Sequence, residues 1–136
     1  MSAALAVQKA LRSRLVATPS ILERVPAVNI LDRNARPNPM PSIIIGEGEE
    51  VDEGDIARRN VRVHLTLHLW QKETGTTGVK GTAGAIRSAV LKERLIADGF
   101  HVADCRVSMT RFLRDPDGEH AHGVVTVETL VHEVGA

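Results

Sequence analysis

The sequence predicts an α+β fold, on three observations. Residues 60 to 70, NVRVHLTLHLW, alternate strictly: Val61, Val63, Leu65, Leu67 and Leu69 fall on one side, and Arg62, His64, Thr66, His68 and Trp70 on the other. That is the period of a strand with one buried face. Residues 75 to 98 switch to a helical period, placing Val79, Ala83, Ile86, Val90, Leu91 and Leu95 on one side, with Gly99 as the stop. Residues 100 to 113 and 120 to 132 then return to alternation as two long strands, with Val107 and Met109 set against Arg106 and Ser108, and Val125, Val127 and Val131 against Thr126 and Glu128.

The remaining elements follow in chain order. Ser2 is a candidate N-cap for an amphipathic helix over residues 2 to 17, which carries Leu5, Leu11, Leu15 and Val16. Thr18-Pro19-Ser20 ends it, and Ser20 with Glu23 has the capping-box spacing for a short helical turn before Pro26. AVNIL, 27 to 31, reads as a short strand, the proline-rich RPNPMP as an extended or turning path, and SIIIG, 42 to 46, as a buried strand. EGEEVDEGDIARRN, from 47 to 60, lacks apolar periodicity and predicts an exposed connection. The small residues Gly81, Ala83, Gly84 and Ala85 let the 75 to 98 helix lie close against a sheet.

At 136 residues, with 43% apolar and 25% charged residues, the chain suits one domain over 1–136 that folds without disulfide or metal. The single cysteine, Cys105, cannot form an internal disulfide and sits in an alternating run, which favours an inert thiol in a reducing compartment. No apolar run is long enough to span a bilayer and no signal-peptide pattern opens the chain, so the expectation is a cytosolic protein without a membrane partner. Three aromatic residues, Trp70, Phe100 and Phe112, and zero net charge argue against a groove for single-stranded nucleic acid. The charge is uneven. Lys9, Arg12, Arg14, Arg24, Arg33 and Arg36 dominate the first 40 residues, whereas Glu47, Glu49, Glu50, Asp52, Glu53 and Asp55 make 41 to 57 wholly acidic. Opposed blocks of this kind suit self-association or simply solvated faces.

Chemistry, if present, would lie in DPDGEHAHG, 115 to 123. Asp115-Pro116-Asp117-Gly118 is a turn sequence in which every residue has a mechanical reason: Asp accepts backbone bonds, Pro presets φ and Gly tolerates positive φ. A calcium loop would need Asp or Asn where Leu113 stands. His120 and His122 share a strand side roughly 6 to 7 Å apart, but sequence fixes no third metal ligand; His64 and His68 lie roughly 13 Å apart along theirs. No nucleophile elbow, phosphate loop, dinucleotide fingerprint or cysteine ligand cluster occurs. The expectation is a non-enzyme with no catalytic, cofactor or metal residues.

Three stretches carry a resemblance over nearly the whole chain: Pro41-Ser42-Ile43-Ile44-Ile45-Gly46, the strand end Leu67-His68-Leu69-Trp70, and LRDPDGEHAHGVVTVETL. With the element order, they resemble the tail-completion or tail-terminator proteins of long-tailed phages, most nearly the gene transfer agent type. The resemblance implies an antiparallel β-sheet with two α-helices packed on one face, assembling as a hexameric ring. It further implies a ring that caps the head-proximal end of the tail tube, stops its polymerisation and docks the head connector. Its partners would be other copies of itself, the tail tube protein and the connector or stopper protein, with DNA passing through unread. Its location would be host cytoplasm during assembly, then the particle's tail.

A sheet covered on one face by helices leaves Arg62, His64, Thr66, His68 and Trp70 beside Thr126, Glu128 and Leu130 on the other, a mixture that marks an interface. The candidate interface residues are therefore Arg62, His64, His68, Trp70 and Glu128, the six acids from Glu47 to Asp55, and Arg12 and Arg14 of the basic block. Two other classes fit the same composition: a head-tail adaptor or stopper of the same kind of particle, and an unrelated small ligand-binding domain.

Overall fold

A computed structural model describes residues 1–32, 38–54 and 56–134. Arg33, Arg36 and Asp55 lie outside the described residues, as does part of the proline-rich stretch. The chain opens with α1 (Ala3–Val16), whose first turn Ser2 caps by accepting the Leu5 amide at 3.1 Å. The hydroxyl thereby satisfies one of the donors that a helix start leaves unpaired. Ala3, Val7, Leu11 and Leu15 recur at helical spacing and are buried, while Leu5 is exposed. The short α2 (Pro19–Leu22) stands where expected but with a different cap: Thr18, not Ser20, precedes it. Pro19 occupies the first turn, where a missing N–H costs nothing.

Residues 27 to 31 are mostly a 3-10 turn at Ala27–Asn29, and only Ile30–Leu31 form a strand, β1. There follow β2 (Ser42–Glu53), β3 (Asn60–Lys72), α3 (Thr77–Lys92), β4 (Phe100–Arg114) and β5 (His120–Glu133). They make one five-stranded sheet in the order β1-β2-β3-β5-β4. All neighbours are antiparallel except β1 and β2, which pair in parallel through Ile30 with Ile43 and Leu31 with Ile44. The sheet is therefore mixed rather than wholly antiparallel.

The expected connection after Gly46 is largely strand. Gly48–Glu53 pair with Leu65–Asn60, beyond a bulge between Ile45 and Gly48. A ladder is made by backbone groups, and the long β3 presents amides that need partners whatever side chains lie opposite. The stretch is exposed, as its polarity predicts.

α3 ends earlier than its apolar pattern suggests. Leu91 is 51% exposed, and Leu95 reaches the core from beyond the helix. Gly99, at φ +82°, turns the chain into β4. The core lies between one sheet face and the helices, with Leu11, Leu15, Ile43, Leu67, Ile86 and Val125 fully buried. Burying each such side chain stabilises by about 1.5–3 kcal/mol. Among the described residues no helix is long and apolar enough to cross a membrane.

Candidate functional site

The sheet face opposite the helices carries the even-numbered side chains of β3 and β5, and two clusters organise it. At one end an ion-pair ladder crosses four strands. Arg62 of β3 donates to Glu53 of β2 at 2.7 Å and to Glu128 of β5 at 2.9 Å, and Arg106 of β4 reaches the other oxygen of Glu128 at 2.9 Å. The Glu53 hydrogen bond holds the Arg62 guanidinium still more firmly protonated than usual, and Arg62 in return lowers the Glu53 carboxyl below its ordinary range. The opposed charges of neighbouring strands thus satisfy one another within the chain.

At the other end Glu47, His68, His122 and Trp70 form a chain of contacts. His68 Nε2 lies 2.6 Å from Glu47 Oε1, and His68 Nδ1 lies 2.8 Å from His122 Nε2. With His68 protonated on Nε2 it donates to the carboxylate and accepts from His122. The Trp70 ring stacks on His122 at 3.9 Å with 6° between planes. The bond to His68 lowers the Glu47 carboxyl, while burial, followed by the nearby His68, pushes the His122 imidazole below its ordinary value. Gly46 makes the approach feasible: a Cβ there would lie 2.7 Å from the His68 ring. An open depression of about 550 Å³ borders this cluster, lined also by Asp32 and by Ile44, the register partner of His68.

His64 faces Glu128 in register between the two clusters and, with Glu49, borders a smaller hollow. The remaining acids and bases of the sequence reading are placed elsewhere. Glu50 points to the helix side, where it accepts the Ala4 amide at 2.7 Å and so caps α1. Arg12 donates to the Ile30 carbonyl at 3.1 Å. Arg14 donates to the Ala89 and Glu93 carbonyls at 2.7 and 2.9 Å, at the end of α3. Both arginines therefore join elements of their own chain. Asp52 alternates with Val51 and Glu53 on the helix side of β2.

The 115 to 118 segment is a turn: the Gly118 amide bonds the Asp115 carbonyl at 3.0 Å, and Gly118 has φ +72°. Asp117 accepts the Glu119 and His120 amides at 2.8 and 3.1 Å and touches His120 Nδ1 at 2.5 Å. The backbone donor at Glu119 foremost, then His120, holds the Asp117 carboxyl down at about 2. Asp115, Asp117 and His120 bring one donor atom each within 4.8 Å, so a third candidate ligand converges that the sequence left unplaced. His122 turns instead to His68. That apposition depends on the register of β3 against β5, which pairs Trp70 with His122, and no spacing along the chain announces it. Cys105 is partly buried beside Thr129, and burial pushes its thiol up.

Comparison with known proteins places this geometry. The profile of a family described as "Tail completion protein gp17" matches residues 9–132, from the middle of α1 to the end of β5. A chain of the virion of a native gene transfer agent particle superposes with a TM-score of 0.84 at 14% identity, over 97% of this chain and 99% of that one. The gp17 protein of bacteriophage SPP1 superposes with a TM-score of 0.63 at 19% identity, over 98% of this chain and 91% of that one. No curated protein matches by sequence. The chain belongs to the tail completion protein gp17 family, whose members are structural parts of phage-type tails rather than enzymes.

Proposed function

We propose that this chain completes the tail of a phage-type particle: identical copies close as a hexameric ring on the head-proximal end of the tail tube, end its polymerisation and present a surface to the head connector. Family membership across 9–132 carries the reading, because the matched span takes in the second half of α1, α2, α3 and nearly the whole of the four long strands. In this reading the chain assembles in the host cytoplasm and ends in a finished particle; the virion superposition supports only the second step. The residues 1–136 act as one domain in this reading. The face bearing Arg62, His64, His68, Trp70 and Glu128 meets a neighbour or the tube, and DNA crosses the ring without sequence-specific contact. Negative-stain imaging of the purified protein mixed with matching tail tubes and with portal assemblies tests it. Rings on tube ends are expected; binding to portals with bare tube ends would assign the chain to the adaptor class instead.

A further inference from the structure

We propose that neighbouring copies join edge to edge, the β2 edge of one pairing antiparallel with the β4 edge of the next, so that the sheet continues from copy to copy. The proposal deepens the ring reading above and rests on it. Among the described residues the sheet ends in two unpaired edges. β4 is the terminal strand along its whole length, and β1 pairs only with Ile43 and Ile44 of β2, leaving Gly48–Glu53 without an outer partner among the described residues. Such edges are templates for another strand.

Charge decides which strand. On β2, Glu49 and Asp52 make no ion pair or side-chain hydrogen bond with any of the described residues; on β4 the same holds for Arg111 and Arg114. Two-fold pairing of like edges would set acid against acid or arginine against arginine, which is unfavourable. Only head-to-tail pairing sets one against the other, and a head-to-tail contact is what a ring requires. Direction agrees. β2 runs opposite to β3, β3 to β5 and β5 to β4, so β2 and β4 are antiparallel in one copy. A copy added by rotation about an axis along the strands keeps its direction and lays its β2 antiparallel to the first copy's β4.

The regular stretches also match. Bulges interrupt β4 up to Val107/Met109, leaving Met109–Arg114 regular, and the bulge at Ile45/Gly48 leaves Gly48–Glu53 regular. By register, Glu49, Val51 and Glu53 face the helix-free side, and so do Met109, Arg111 and Leu113. Setting Glu49 opposite Leu113 and Glu53 opposite Met109 keeps both faces continuous. It places Arg111 opposite Val51, with Glu49 and the Arg62-bound Glu53 at its diagonals, while Asp52 falls opposite Thr110 and Arg114 opposite Gly48 and act through the charge of their edges rather than as a pair. Val51, Met109 and Leu113, exposed large apolar side chains, then cover one another. Val51 lies level with Asp104 inside one copy, so this register staggers neighbours by about 20 Å along the strands. A closed sheet takes up such a stagger as strand tilt.

The test is a charge swap, read as particle mass in solution and on tail tubes. Glu49→Arg/Asp52→Arg puts two arginines on the β2 edge, where the remaining Glu50 and Glu53 are engaged by α1 and Arg62, and Arg111→Glu/Arg114→Glu makes the β4 edge acidic. The parent should assemble, each variant alone should remain at subunit mass, and an equal mixture should assemble again by alternating the two. As a measure independent of the charge variants, copies bearing Val51→Cys should cross-link to copies bearing Leu113→Cys through a short bismaleimide, and not to one another. Variants that assemble alone like the parent, a mixture that stays at subunit mass, or Val51→Cys copies that link to each other would overturn the edge pairing while leaving the ring reading in place. A parent that stays at subunit mass even on tube ends would overturn both.

Discussion

Arg62 sits between two carboxylates on the strands either side of it, with Glu128 at 2.9 Å shared onward to Arg106. The pair is a side-chain ladder laid across the backbone ladder. Replacing Arg62 by Gln leaves Glu53 and Glu128 facing each other without the cation, so thermal stability should fall. Because the attraction is screened by ions, the loss should shrink in high salt. Melting curves at low and high sodium chloride check this; an equal loss at both would mean that packing, not charge, is what Arg62 supplies.

The histidine end of the same face predicts a pH dependence. Burial, followed by His68, depresses the His122 imidazole, with Arg111 acting in the same direction and Asp115 and Glu47 opposing. The unfolded chain therefore takes up a proton near the ordinary value of 6.5, and the folded chain only at lower pH. Stability is full above 6.5 and declines as pH falls through that value toward the folded one. Glu47, also depressed, adds a loss further down, as pH falls through 4.5. Tm should drop between pH 7.5 and 5.5, and His122→Gln should flatten that slope whatever it does to Tm at neutral pH. A variant with the parent's slope would show that another group titrates.

At the β4–β5 turn, Gly118 has φ +72° with open space around its Cα, so a side chain there meets strain rather than a clash. Gly118→Val should destabilise by about 1 kcal/mol or more, measured by urea unfolding. Asp115, Asp117 and His120 converge nearby, yet Asp117 already accepts two amides and touches His120. Dialysis against a chelator should leave Tm unchanged and release no stoichiometric metal; a metal-dependent melting point would reassign the cluster.

Arg14 predicts a larger effect than its surface charge suggests. Its guanidinium satisfies carbonyls that the end of α3 leaves free and so ties α1 to α3. Arg14→Met keeps the aliphatic stem and removes the donors, and should cost about 1–3 kcal/mol in urea unfolding. An unchanged midpoint would mean that water serves those carbonyls equally well.

These residues also show how far the sequence could be read. The alternation from Val61 to Trp70 predicts β3 and its buried face because one side meets the core along its length. Gly48–Glu53 carry no such signature: exposed on both faces, they are held in the sheet by backbone pairing that side-chain pattern does not encode. Bulges are equally silent. The one between Val107 and Met109 carries Met109 to the helix-free side opposite Thr126, against the expectation that it packs inward with Val107. The shared face of the candidate residues was legible, since Arg62, His68, Trp70 and Glu128 follow from parity. It was not legible as two clusters, because His68 meets His122, 54 positions further along the chain, only through the register of β3 against β5.

The acids of β2 make the last prediction, because the structure divides a uniform run into different roles. Glu50 accepts the Ala4 amide, where the positive end of α1 favours a carboxylate. Glu50→Gln keeps an acceptor but removes the charge, and should lower stability by roughly 0.3–1 kcal/mol. Glu49 and Asp52 have no such partner among the described residues, so Glu49→Gln with Asp52→Asn should leave folding within about 0.5 kcal/mol of the parent. Their side chains stay polar, so the strand edge remains soluble, but opposed acids no longer disfavour self-pairing of β2 edges. The neutralised protein should therefore keep its unfolding midpoint while its association changes, weaker toward its own β4 edge and more permissive toward like edges. Urea unfolding and sedimentation velocity on the same samples decide the matter. A shifted midpoint would make these acids part of the fold, and unchanged sedimentation would make them ordinary solvated charges.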